Sequence, residues 1–162
     1  MATDAARLAF MRRAIELARI GSTAGHGGPY GCVVVKGGEI VGEGYNQVLT
    51  SRDPTAHGEI VALRAAGKRL GTHDLSACEV YNISVPYPMC TAAMYWARVH
   101  AVYYCCTPED SEAIGFANTE IERELAKPWR ERSLPMHRLE ALYPDARAAY
   151  DDWARQAGRV VY

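Results

Sequence analysis

The most restrictive feature of this chain is a pair of β-prone runs separated by a single helical segment. Residues 79–84 read as one strand, 89–99 as a helix behind the Pro86-Tyr87-Pro88 bend, and 101–106 as the next strand. A helix between two strands of one sheet calls for a right-handed crossover, which sets those strands parallel. Upstream, runs at 31–35 and 39–45 flank Lys36-Gly37-Gly38, whose glycines supply the positive φ of a tight hairpin, so an antiparallel pair joins the sheet. Leu8, Met11, Ile15 and Ala18 recur at helical spacing between Thr3-Asp4 and Gly21. From Ala56, residues Ile60, Leu63, Ala66 and Leu70 keep the same period until Gly71, behind a polar loop at 46–55. Helical segments at 119–126 and 144–157, joined by the proline-containing stretch 127–135, close the chain. This order predicts an α/β fold, a three-layer α/β/α sandwich around a central mixed β-sheet.

At 162 residues the chain has the size of one domain, 1–162, and 49% apolar against 23% charged residues is enough to bury a core. A formal charge of −1 provides no field to draw in a polyanion, so a small molecule or another protein chain is expected as partner rather than nucleic acid. No apolar run approaches the roughly 18 residues of a spanning helix, and residues 1–13 do not read as an export signal. Five cysteines, an odd number without dense spacing, read as reduced thiols of a cytoplasmic protein and mostly as small buried hydrophobes.

Two helix starts carry the chemistry. His57-Gly58-Glu59 opens one, and Pro86-Tyr87-Pro88-Met89-Cys90 leads into the other. An H-x-E motif followed by P-C-x-x-C is the signature of zinc deaminases, in which a histidine and two thiolates hold the metal and the glutamate moves a proton from water to the leaving amine. Here the first cysteine of the second motif is Tyr87.

Over nearly its whole length the chain resembles the guanine deaminases of the cytidine deaminase-like superfamily. The resemblance rests on Gly27-Gly28-Pro29-Tyr30-Gly31, Asp53-Pro54-Thr55-Ala56-His57, Pro88-Met89-Cys90, Tyr95-Trp96-Ala97-Arg98, Gly115-Phe116 and the closing Tyr162. It implies a homodimer whose C-terminal tail, about 144–162, closes over an active site, its own or the partner's. It also implies that His57 and Cys90 are zinc ligands, that Glu59 is the proton shuttle, and that Tyr30 and Asn46 line the pocket; Gly58, Tyr87, Asn118 and Tyr162 are further candidate substrate contacts.

Departures from the family pattern fall at the chemistry. Val85-Pro86-Tyr87 stands where the family has Glu-Pro-Cys, and Gly58 where it has alanine. Gly115-Phe116-Ala117-Asn118 stands where it has Gly-Phe-Asp-Asp, whose last acid is expected to read guanine. A catalytic zinc keeps three protein ligands. With Tyr87 at a ligand position only His57 and Cys90 remain, so zinc is doubtful as a cofactor and guanine is not expected as the substrate. A tyrosine oxygen reaches farther from the backbone than a cysteine sulfur, so the ring is expected to fill or line the vacated space, with Cys32, Cys105 or Cys106 as remote substitute ligands. Three functions stay open. One is a divergent deaminase acting on another small nitrogen-containing aromatic or heteroaromatic compound. Another is a metal-free enzyme using Glu59 and His57 as acid and base, with Cys90 as a nucleophile activated by its helix N-terminus. The last is a catalytically silent binding or partner subunit.

Overall fold

Thr3 starts the first helix by accepting a hydrogen bond from the Ala6 amide at 3.3 Å. The computed structural model describes residues 3–162, so Met1 and Ala2 of the expected domain lie outside the described residues. Helix α1 covers Asp4–Thr23 and runs past its expected stop at Gly21. Gly21 is there for contact rather than termination, since a Cβ on it would lie 2.4 Å from the Tyr45 ring. Strands β1, Gly31–Lys36, and β2, Glu39–Tyr45, form the expected hairpin, with Gly37 and Gly38 at φ 59° and 87°. Within the expected loop, α2 is a single turn, Val48–Ser51.

Next come α3, Gly58–Leu70, which ends at left-handed Gly71; β3, Cys78–Ser84; α4, Pro88–Trp96; and β4, Ala101–Cys106. Helix α4 stops before residue 99 because Arg98 adopts φ 58°. A short helix that the sequence reading lacked, α5, Pro108–Ala113, follows behind a Thr107–Asp110 capping box. The sheet order is β2-β1-β3-β4, with β1 antiparallel to both neighbours and β3 parallel to β4. This is the mixed sheet and crossover expected from the residue pattern.

Alternating side chains of the central strands divide the core into two layers. Val33, Val35 and Tyr81 meet Met11, Ala14 and Leu17 of α1. From the opposite face, Cys32, Val34 and Val80 meet Ala62, Leu63 and Ala66 of α3 and Met94 of α4. Helix α3 lies very close to β2. A Cβ on Gly42 would come within 2.3 Å of the Ala62 carbonyl oxygen, and one on Gly44 within 2.3 Å of the Gly58 carbonyl oxygen. Those two glycines therefore set how closely α3 lies on β2, and with it the position of His57 and Glu59.

By packing, the described chain divides into two compact units, one ending at Asn118 and the other Thr119–Tyr162. The first holds both core layers. The second contains α6, Thr119–Ala126, two 3-10 turns, and α7, Tyr143–Arg155, which covers most of the expected 144–157 helix. Neither α6 nor α7 has a buried residue.

Candidate active site

His57 and Tyr87 are the N-cap residues of α3 and α4, both extended, and neither caps its helix with its side chain. His57 thus precedes the first turn on which the sequence pattern placed it. Glu59 and Cys90 occupy the first turns themselves, Glu59 4% exposed and Cys90 fully buried. The fold brings three chemically able groups together: ligand atoms of His57, Glu59 and Cys90 all lie within 4.8 Å of one another. His57 Nδ1 and Cys90 Sγ are 3.5 Å apart.

Glu59 is the one acidic side chain buried among the described residues, and a buried carboxylate needs partners. It accepts a hydrogen bond at 2.9 Å from Nδ2 of Asn82, a fully buried residue of β3 that the sequence reading passed over. The signal was present as an amide between Tyr81 and Ile83 within the strand. Burial pushes the Cys90 thiol well above its ordinary range, and the nearby Glu59 carboxylate pushes it further the same way. This corrects the expectation of a thiol activated by its helix N-terminus. Desolvation and a neighbouring negative group outweigh the dipole, so without a bound cation Cys90 is a protonated thiol.

Tetrahedral zinc with ~2.05 Å Zn–N and ~2.3 Å Zn–S bonds separates two such donors by about 3.6 Å, so His57 and Cys90 fit two of its positions. The third position lacks its donor. Tyr87 donates its hydroxyl to the Phe116 carbonyl oxygen at 2.7 Å and lies 3.3 Å from the Tyr30 hydroxyl. Its ring stands edge-on to His57, with centroids 6.2 Å apart. Among the described residues no further His, Cys, Asp or Glu joins the cluster, so Cys32, Cys105 and Cys106 are not substitute ligands in this arrangement. The donor set is incomplete for a three-ligand catalytic zinc unless Glu59 gives up its other role.

Tyr30, His57, Glu59, Val85 and Tyr87 line a space of about 10 Å³, room for about one water. Phe116 packs edge-on against Tyr30 at 5.3 Å, and burial raises the Tyr30 phenol above its usual range. The buried Ser111 hydroxyl of α5 lies 3.0 Å from that of Ser84. Of the other expected substrate contacts, Asn46 is buried and its Oδ1 accepts from the Val48 amide at 3.1 Å. Gly58 is packed so that a Cβ would approach the Tyr30 carbonyl oxygen to 2.9 Å, which explains why alanine is absent there. Asn118 is buried at the end of the first unit, whereas Tyr162 ends the second unit and is exposed.

This geometry has recognisable relatives. The cytidine and deoxycytidylate deaminase zinc-binding region matches residues 5–106. Guanine deaminase of Bacillus subtilis is 46% identical over 130 residues, 80% of this chain and 83% of that protein. An X-ray structure of guanine deaminase from Bacillus subtilis superimposes with a TM-score of 0.86 at 42% identity, covering 95% of this chain and 97% of that one. The structure of guanine deaminase from Nitrosomonas europaea gives 0.65 at 35% identity over 72% of this chain and 66% of that one. A tRNA-specific adenosine deaminase of Aquifex aeolicus is 40% identical over 76 residues, 47% of this chain and 50% of that protein. No helix is long and apolar enough to cross a membrane among the described residues. The frame, the two facing helix starts and these similarities lead to one conclusion: the chain belongs to the cytidine and deoxycytidylate deaminase family and is a guanine deaminase-like hydrolase.

Proposed function

We propose that this deaminase removes an exocyclic amine from a small nitrogen-containing aromatic or heteroaromatic compound other than guanine. The observation that carries the reading is the Tyr87 hydroxyl bonded to Phe116, which leaves room for about one water beside His57 and Glu59. A substrate has to displace that phenol or present a narrow edge beneath it. Asn118, neutral where the family pattern carries an acid, removes the charge expected to read guanine.

Hydrolysis adds water oxygen to the ring carbon that bears the amine, breaks the C–N bond and releases ammonia. In this reading Glu59 takes the proton from water and passes it to the departing nitrogen, a role supported by its burial beside the space and its hydrogen bond from Asn82. His57 and Cys90 would supply two of the three ligands of a zinc, which when bound supplies an acidified water. Tyr87 and Tyr30 form part of the wall of the space. A thiol nucleophile finds less support, since Cys90 is fully buried and its proton is held tightly. Homodimer formation and a cytoplasmic location belong to the same reading.

The test is ammonia release from a panel of amino-substituted six-membered and fused heteroaromatics that includes guanine, with Glu59→Gln as control. Glu59-dependent release from a compound other than guanine supports the proposal. Guanine as the best substrate overturns it, and no release from any compound favours a silent binding subunit.

A further inference from the structure

Asn82 is a costly residue for its position. It is fully buried in the middle of β3, and its Nδ2 donates to Glu59 Oε1 at 2.9 Å and to the Ser84 carbonyl oxygen at 2.7 Å, while its Oδ1 has no partner. Both neighbours of the NH₂ group are acceptors, so the amide orientation is forced: turned over, it would set oxygen against a carboxylate and a carbonyl. The orphan oxygen is therefore inherent in the contact with Glu59. A buried acceptor left unpaired destabilises the fold, and an apolar side chain of the same shape would remove that penalty. On packing grounds alone Asn82 is an unfavourable residue, fully buried and paired across the sheet with the buried Cys32.

We propose that Asn82 is a positioning residue, tethering Glu59 by Oε1 so that the carboxylate keeps a fixed orientation toward His57 and the lined space. The inference rests on the reading of Glu59 as the proton carrier. Asn82 does not itself border that space, whose walls are Tyr30, His57, Glu59, Val85 and Tyr87. The tether has its own anchor. The second Nδ2 bond goes to the backbone of Ser84, whose hydroxyl is in turn bound to Ser111, so the amide cannot follow a moving carboxylate. Glu59 is thus oriented from the sheet beneath it rather than from the pocket wall.

Two measurements test this. The first compares Asn82→Leu with the unmodified protein on any panel compound that is turned over. The tether predicts that kcat falls at least tenfold with KM changed less than about twofold, while the urea unfolding midpoint is unchanged or higher. In the Glu59→Ala background the same change produces no further loss of kcat. A lower unfolding midpoint with kcat per folded molecule unchanged marks Asn82 as structural and overturns the proposal. Asn82→Thr serves the same comparison if the leucine variant does not fold.

The second is independent of any substrate. In ¹⁵N–¹H spectra the side-chain NH₂ of Asn82 is expected slow to exchange and shifted by its carboxylate acceptor, and that shift disappears in Glu59→Ala. An Asn82 signal indifferent to Glu59→Ala overturns the tether whatever the panel shows. If the unmodified protein turns over no panel compound, the reading of function fails separately and the amide signal alone decides the geometry.

Discussion

The hydroxyl of Tyr87 is bound to the backbone of Phe116, 29 residues away, at 2.7 Å. A side chain at the start of α4 is thereby tied to the loop after α5, across the space that His57 and Glu59 border. The bond explains why the phenol is not available as a metal ligand, since its proton is committed to a carbonyl.

Replacing Tyr87 by cysteine is expected to release the Phe116 loop and place a second thiolate donor near His57 and Cys90. Zinc per chain, measured by elemental analysis on protein purified without chelator, should rise toward one. Unchanged zinc content would show that position 87 does not face the metal site. Tyr87→Phe keeps the ring and loses only the hydrogen bond, with an expected cost of about 1 kcal/mol in urea unfolding and no gain of zinc.

Glu59→Gln keeps the size and one acceptor oxygen for Asn82 but cannot carry the proton. Turnover is expected to fall by about 10²–10⁴-fold, with circular dichroism and unfolding midpoint close to those of the parent. Activity within a factor of about three of the parent would remove Glu59 from the chemistry.

Gly44→Ala forces a methyl group to within 2.3 Å of the Gly58 carbonyl oxygen. Backbone has to move, and overpacking of this kind costs about 1–3 kcal/mol. Because the displaced element is the start of α3, activity per folded molecule should drop too. An alanine variant with parental stability would mean that α3 can retreat from β2 freely.

Arg13 of α1 grips Glu43 of β2 through two N–H donors, each at 2.8 Å. The guanidinium hydrogen bonds hold the Glu43 carboxyl below its usual range. The folded pKa is thus lower than the unfolded one, so the pair stabilises fully above the unfolded value of about 4.3 and loses its effect as pH falls through the folded value. Urea midpoints of the parent and Arg13→Ala should differ near neutral pH and converge in acid. A difference that persists at about pH 2 would assign the effect to packing of the arginine stem instead.

Much of the frame was legible because periodicity reports which face is buried. Val33, Val35 and Tyr81 alternate with Cys32, Val34 and Val80 between the two layers, and the Gly37-Gly38 turn fits only a hairpin. Helix ends were less legible. Gly21 looked like a terminator but serves as a contact for Tyr45, and Arg98 ended α4 without any of the usual stop residues. At the site, His57, Glu59 and Cys90 were found through motif spacing. Asn82 escaped because a single amide in a strand has no spacing to betray it, and its importance comes from a residue 23 positions away. The Cys90 thiol was misjudged because the helix N-terminus is visible in sequence, whereas complete burial beside Glu59 is not.

On the face of the sheet turned away from these groups, Tyr81 stacks on Tyr103 at 4.8 Å and tilts against Phe10 at 5.2 Å, with Met11 and Leu17 filling the layer. No residue of that layer belongs to the cluster around Glu59. A part of the fold's stability is therefore held on the side of the sheet that carries none of the chemistry. Side chains around Glu59 can change while the aromatic layer under α1 continues to specify the fold.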